Sequence, residues 1–448
     1  MKNRNQSPYA VAAVSYNQFQ SRTQQFITVA AQRLNMAQWF EHSRPHHAFL
    51  HADMGQYAVT EPEERSTFFV PFVQKMIVPS TAKVIVVADI HGDIQALTAI
   101  LEHLQSVGSL SPDYKILDPN LYLVFLGDYV NRKPSGVPVM YLLFDLFIKN
   151  SDRVVLLRGN HESAGSNKHF RQRHAAQDGS FLYELEQRFE GYRYPDLLAW
   201  YDYLPMALYL GSVDSEGVTT YTKLCHGGLE IGYNMADFLA DDTALFRKLT
   251  TLDRKKALQA FSTSSIAGLA QQIQASQQFA QVQCADYWQS YTSKPTDFST
   301  DPKPWVAQLG MQYNNFVTED NETVEFALSP TRRNLYLGRA LTAHLFNQVS
   351  GQKSRMASVI RGHQHLDEEV AELGLNTTMM TRIKAGKGLV HQWNGMVYTL
   401  GATSWVSGYQ SFVQLQLDAR SKNYSLKHFF KAPDSESFSF KITRFLTK

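Results

Sequence analysis

The chain has 448 residues, 44% of them apolar and 12% aromatic, which suits a large core in one enlarged unit or in two to three domains. A formal charge of +2 excludes strong attraction to nucleic acid or to an anionic membrane surface, and Cys225 and Cys284 alone exclude a disulfide framework or a CxxC metal site. The polar first 20 residues lack the apolar run of a Sec signal, and no stretch approaches the ~20 apolar residues of a membrane span, so a cytoplasmic protein, or one exported without a Sec signal, is expected.

In chain order, Asn17 to Phe40 is Gln- and Ala-rich with helical apolar spacing, and Phe68 to Ile77 reads as a short second helix with Pro71 in its first turn. His42, His46, His47 and His51 between them match no ligand spacing and read as a polar loop. Strand and helix signals then alternate. Lys83–Ala88, Leu121–Leu126 and Val154–Leu157 are continuous apolar runs, as strands buried on both faces require, and helical patterns follow the first two at Ile94–Leu104 and Val139–Ile148. Phe181 to Tyr203 has helical spacing, whereas Pro205–Leu210 and Thr219–Cys225 read as strands. Cys225, inside that last apolar run, reads as a buried, inert thiol.

From Asp237 to about Pro304 the rhythm breaks into a Gln- and Ala-rich stretch with helix candidates at Leu245–Phe261 and after the Ser262–Ser265 cap signal. Beyond it, Leu335–Phe346 reads as helix and Ala357–Ile360, Val397–Ala402 and Phe412–Leu417 as strands, with Phe438–Ile442 alternating like an edge strand. The resulting partition is a helical N-terminal extension (1–79), the first part of an α/β core (80–236), a helical insertion (237–305), and the second part of the core with C-terminal strands (306–448).

Five short segments at the ends of apolar runs carry the chemistry: Asp89-Ile90-His91-Gly92, Gly127-Asp128-Tyr129-Val130-Asn131-Arg132, Arg158-Gly159-Asn160-His161-Glu162, His226-Gly227-Gly228 and Arg361-Gly362-His363-Gln364. In open α/β layers ligands bind at the carboxyl ends of strands, so residues far apart in sequence can meet on one rim. The adjacent glycines let backbone pass close to bound ions or adopt φ > 0. A mixed carboxylate, imidazole and amide donor set suits Mn²⁺, Fe or Zn²⁺ better than an all-oxygen Ca²⁺ site. Two such ions can share one carboxylate, for which the central Asp128 is best placed, and the chemistry pointed to is metal-assisted phosphoester hydrolysis. Arg132 and Arg158 beside the same strand ends can bind phosphate oxygens, and His161 can protonate a leaving oxygen.

Together these segments resemble the phosphoprotein phosphatase family within the calcineurin-like metallophosphoesterases, whose pattern is GDxHG, GDxxDRG, RGNHE, HGG and R(A/G)HQ. The likeness spans residues 80–235 and 306–418 and includes Trp200 and Leu204-Pro205 in the stretch before His226. It implies a β-sandwich flanked by helices and two divalent metal ions. Asp89, His91 and Asp128 would hold one ion, and Asp128, Asn160, His226 and His363 the other. It further implies Arg132 and Arg158 at the phosphate, with Arg332 or Arg333 as the third phosphate-binding arginine, and His161 as general acid. The activity implied is direct attack of a metal-bridging water on phosphoserine, phosphothreonine or phosphotyrosine in a protein. Hydrolysis of a small phosphoester such as a dinucleoside polyphosphate and a weakly active or lapsed binding module are the alternatives. The N-terminal helices and the insertion resemble those of enlarged bacterial effector phosphatases, with the insertion expected to contact a protein partner or cap the groove.

Ala88 replaces the first Gly of the pattern, and three further departures bear on the chemistry. Asn131 stands where the family has the Asp that orients the acid histidine, so a weaker acid and an acid-shifted optimum are expected. Lys133 replaces a Gly and either points to solvent or adds a cation at the phosphate mouth. The family's SAPNY loop is only faintly echoed by Gly401-Ala402-Thr403-Ser404-Trp405.

Overall fold

A computed structural model of the protein describes residues 14–33, 71–173, 179–189, 199–249, 251–261, 296–297, 310–321, 323–329, 335–364, 379–401, 407–418 and 423–446. The His42–His51 cluster, the helix candidate that follows the Ser262–Ser265 cap signal, Arg332, Arg333 and Trp405 lie outside these residues.

Two sheets organise the chain. One has six strands in the order β18 (Ser439–Leu446), β17 (Asn423–Lys431), β16 (Gln410–Asp418), β2 (Lys83–Val87), β3 (Leu121–Phe125) and β4 (Val154–Leu156). Strands β2, β3 and β4 are parallel, in register at Val86↔Val124 and Val124↔Val155. Their continuous apolar runs are explained by cover on both faces. The C-terminal strands add antiparallel to β2, and β18 forms the edge, as expected, with Phe440 and Ile442 exposed.

The other sheet has seven strands: β14 (Leu389–Gln392), β15 (Val397–Leu400), β13 (Ser354–Arg361), β6 (Thr219–Cys225), β5 (Ala207–Val213), β1 (Phe72–Ile77) and β7 (Phe246–Lys248). Leu208, Leu210, Leu224 and Ile360 on one face share a core cluster with Val84, Val86 and Val124 of the first sheet, so the two sheets form a sandwich. Ala207, Tyr209, Tyr221 and Val359 on the opposite face join a second cluster, completed by a small sheet of β10 (Asn315–Phe316), β12 (Leu335–Leu337) and β11 (Phe326–Leu328). A further pair, β8 (Thr251–Leu252) and β9 (Thr296–Asp297), falls within the stretch 237–305.

Helices flank the sandwich. Helix Ile94–Ser106 starts at Asp93, whose Oδ1 accepts from Ala96 N at 3.0 Å, and buries Ile94, Leu97, Ile100, Leu101 and Leu104 on one stripe. Helix Gly136–Lys149 is buried almost all round. The N-terminal helix Tyr16–Arg33 docks on it: Phe19, Phe26, Ile27 and Ala30 are buried at helical spacing, Phe26 stacks on Phe144 at 4.6 Å, and Arg22 pairs with Asp145.

The structure corrects three element expectations. Phe72–Ile77 is not helical but a strand inside the seven-stranded sheet, paired with β5 at Gln74↔Leu208. Leu245–Phe261 divides into β7, β8 and a helix only over Arg254–Phe261. Leu335–Phe346 divides at Gly338 into β12 and helix Arg339–Gln348. In each case a short apolar run without its partner strand carries no signal that separates strand from helix.

Candidate metal centre

Asp89 follows β2, Asp128 follows β3 and Asn160 follows β4, while His226 and His363 follow β6 and β13, which are parallel neighbours in the facing sheet. The carboxyl ends of both halves of the sandwich therefore open onto one place. The loops are sewn together by their backbones: Ile90 N and His91 N donate to Asp128 O at 3.0 and 2.8 Å, Gly362 N donates to His226 O at 3.1 Å, and His363 N donates to the Asp89 carboxylate at 3.1 Å. Such stitching needs close approach. A Cβ on Gly127, whose φ is +110°, would lie 2.3 Å from Gly159 N, and one on Gly362 would lie 2.0 Å from Asp89 Oδ1. Of the six glycines in the five loops, only Gly92 and Gly127 have positive φ. Elsewhere the functional residues themselves take the left-handed conformation: His91, Asp128, Asn131, Arg132 and His363 are five of the eight non-glycine residues with positive φ among those described. Residues forced into this sparsely populated region concentrate at sites where side-chain direction matters.

Asp128 is the centre of the arrangement. Its Oδ2 lies 3.2 Å from His226 Nε2, 3.5 Å from His91 Nε2 and 3.9 Å from His161 Nε2. Asn160 Oδ1 is 2.9 Å from His226 Nε2, and Asp89 Oδ2 is 4.0 Å from His91 Nε2. Donor atoms bound about 2.0–2.2 Å from one ion stand roughly 3.0–3.5 Å apart, and most of these separations fall there or slightly above. Two groups of donors each lie within 4.8 Å of one another: His91, Asp128 and His161, and Asp128, His226 and His363. Asp128 belongs to both, as a shared carboxylate must. His226 Nδ1 is buried without a hydrogen-bond partner, 3.8 Å from Asp89 Oδ1. Two carboxylates at 1% exposure, ringed by imidazoles, form a donor set that fits divalent cations.

Burial and the mutual charges of carboxylates and imidazoles set the electrostatics of the site. Burial pushes Asp89 up to about 6, against the pull of His226. Burial acts the same way on Asp128, but His226, His161 and His91 together outweigh it and hold that carboxyl well below its usual range. Burial lowers His226, yet Asp128 and Asp89 reverse the sign and raise it.

Around this centre, Asn131 is fully buried and its orientation is fixed. Its Oδ1 accepts from Phe181 N at 2.9 Å, so its Nδ2 faces His161 Nδ1, also at 2.9 Å. A backbone N–H can only donate, and the amide nitrogen must then donate to the ring, which leaves the ring proton on Nε2, toward Asp128. Burial brings His161 down to about 4; Asp128 opposes this, and nearby Arg132 adds to it.

Arg158 differs from its expected place at the phosphate. Its Nε donates to Glu162 O at 3.0 Å and its Nη1 to Asp202 at 3.3 Å, so this guanidinium joins the loop to the turn at Ala199–Tyr203. Arg132 is half-buried beside His161. Lys133 neither enters the mouth nor runs free to solvent: its Nζ pairs with Asp93, the cap of helix Ile94–Ser106. Cys225 is buried, and burial raises its thiol above the usual value, as an inert cysteine requires.

Two structural residues escaped the sequence reading. Glu162, inside a recognised segment, accepts from Asp128 N, Tyr129 N and Gly159 N at 2.7–2.9 Å and so locks the second loop to the third. Arg361, at 0% exposure, reaches Gly227 O, Gln364 Oε1 and Asn315 Oδ1 and binds the last two loops to β10. Their positions in the motifs gave the only signal; the partners are non-local.

The chain is similar to several known proteins. The chain is 30% identical over 164 residues to the serine/threonine-protein phosphatase 6 catalytic subunit of Caenorhabditis elegans, covering 36% of this chain and 41% of that one. It is 39% identical over 83 residues to Shewanella-like protein phosphatase 1 of Plasmodium berghei, covering 18% and 22%. A solved Saccharomyces cerevisiae protein serine/threonine phosphatase superposes with a TM-score of 0.45 at 13% identity, covering 96% of this chain and 90% of that one. The matched region spans less than half the length of these curated relatives. The calcineurin-like phosphoesterase family model matches residues 82–367, more than half of the chain and all five loops, and the chain belongs to that family.

Proposed function

We propose that this protein is a metal-dependent protein phosphatase, hydrolysing phosphoserine, phosphothreonine or phosphotyrosine with water as the nucleophile. The observation that carries this reading is the convergence of three imidazoles on one Asp128 oxygen, with Asn160 beside them. Asp89, His91 and Asp128 would hold one divalent ion and Asp128, Asn160, His226 and His363 the second, with Mn²⁺ first in order and Fe or Zn²⁺ after it. When bound, two such ions supply electrophilic activation of the phosphate and a more acidic water. Arg132 would bind phosphate oxygens, and His161, with its ring proton on Nε2, would donate to the leaving oxygen. A protein substrate is supported by the matched relatives, which are named as serine/threonine-protein phosphatases. In the same reading the insertion of residues 237–305 contacts a protein partner or caps the groove. Among the described residues no helix is long and apolar enough to cross a membrane.

Asn131 favours a second reading, a weakly active or lapsed phosphatase that binds phosphorylated partners. The test is a panel of pSer, pThr and pTyr peptides, an aryl phosphate and a dinucleoside polyphosphate, each assayed with Mn²⁺ and with a chelator. The proposal expects chelator-sensitive turnover with kcat/KM highest on the peptides. A higher kcat/KM on the dinucleoside polyphosphate would move the assignment to small phosphoesters. No turnover of any ester, with two ions bound, would establish the lapsed module.

A further inference from the structure

The segment from Gly310 to Phe316 belongs to none of the five loops, yet it is joined to three of them. Gly227 N and Gly228 N donate to Met311 O and Gly310 O at 2.6 and 2.9 Å, and a Cβ on Gly227 would lie 2.4 Å from the Gln312 carbonyl carbon. Asn314 Nδ2 donates to Leu229 O at 2.7 Å. The Gln364 amide both accepts from Phe316 N at 3.0 Å and donates to Phe316 O at 2.8 Å. Tyr313 meets the His363 ring edge-on at 6.1 Å. Another side chain reaches the third loop: Gln312, 4% exposed, donates from Nε2 to Gly159 O at 2.8 Å.

That carbonyl belongs to the peptide unit joining Gly159 to Asn160. On its other side, Gly159 N donates to Glu162 Oε2 at 2.9 Å. Gly159 is thus held at both ends, by Glu162 from its own loop and by Gln312 from a segment bonded to the His226 loop. Asn160 Oδ1 and His226 Nε2, only 2.9 Å apart, come from these two loops, which belong to opposite sheets. Along the brace, Gln312 is the side chain that refers one donor's backbone to the other's.

We propose that Gln312 is a positioning residue that sets the spacing of Asn160 and His226 for a shared divalent cation. The inference rests on the metal reading above, though not on the choice of substrate. A buried carbonyl stripped of its donor loses the hydrogen bond that fixes its peptide plane, and the Asn160 backbone can rotate. Partners that orient ligands in this indirect way typically contribute about 10–100-fold in metal affinity or activity.

The test uses full-length Gln312→Met, which keeps length and apolar volume but cannot donate, and Gln312→Glu, which keeps shape and sets a carboxylate against the carbonyl. Mn²⁺ binding is followed by calorimetry and electron paramagnetic resonance, alongside Tm of the chelated protein and aryl phosphate kinetics. Both variants are expected to bind one Mn²⁺ at least about tenfold more weakly, with kcat reduced, KM little changed and the other ion retained. Wild-type affinity for both ions in either folded variant would overturn the proposal, as would a lowered Tm of the chelated protein with unchanged affinities. If wild type itself binds fewer than two ions, the metal reading fails and this inference with it. If wild type binds two ions but hydrolyses no phosphopeptide, the substrate assignment alone fails and the affinities still decide the role of Gln312.

Discussion

Asn131→Asp probes one of the points at which this chain departs from the family pattern. Asn131 is clamped by Phe181 N on its oxygen and so offers an N–H to His161 Nδ1. An aspartate of the same shape would keep the Phe181 contact and turn the other oxygen toward the ring, where it would accept a hydrogen bond from Nδ1–H and stabilise the cationic imidazole. In a serine-protease triad the opposite change, Asp to Asn, costs about 10⁴ in kcat by imposing the wrong tautomer. Here bound metals would carry much of the catalysis, so a smaller share of the ~10²–10⁴ typical of general acid catalysis is at stake. We predict a rise in kcat of about 10–100-fold on alkyl phosphates, whose alkoxide leaving group needs a proton. On aryl phosphates, where a phenol of pKa about 10 leaves unaided, the gain should stay below about threefold. The assay compares phosphoserine peptide and aryl phosphate turnover, wild type against variant, at one saturating Mn²⁺ concentration. Equal gains on both substrates, or none on the peptide, would refute the argument that hydrogen-bond polarity at Asn131 limits leaving-group protonation.

Two further predictions concern stability. Arg254 and Glu230 form a two-pronged pair at 2.9 and 3.0 Å with both side chains at 0% exposure, and Glu230 also accepts from Gly310 N. Arg254→Met strands a buried carboxylate and should cost about 3–5 kcal/mol in urea unfolding, whereas the Arg254→Met, Glu230→Gln double variant should recover most of it; a single-variant loss under about 1 kcal/mol contradicts the buried-pair account. His428, 4% exposed, is held down to about 4 by burial first and then by Lys441 and Lys387. Against about 6.5 for an unfolded histidine, its contribution is fully present above that pH and is lost as the solution is acidified from 6.5 toward 4, by up to about 3 kcal/mol. His428→Gln should flatten the stability profile in that window, and an unchanged slope would assign the acid sensitivity to other groups.

What the sequence determined by itself is local. The runs Lys83–Ala88, Leu121–Leu126 and Val154–Leu157 read as buried strands because both faces are apolar, and short Asp-, His-, Asn- and Gly-bearing segments at their ends mark the rim whatever follows them. Asn131 was also legible as a departure, because a motif fixes the chemistry each position should carry. Tertiary structure decided everything that depends on a distant partner. Phe72–Ile77 is a strand because β5 and β7 flank it, and no periodicity within six residues could say so. Arg158 turns to Asp202 and Lys133 to Asp93 because those carboxylates arrive from other parts of the chain. Gln312 has no motif at all; its place under Gly159 exists only once the two sheets have closed on each other. Side-chain chemistry is written residue by residue, whereas hydrogen-bond partnership across 153 residues is a property of the folded packing alone.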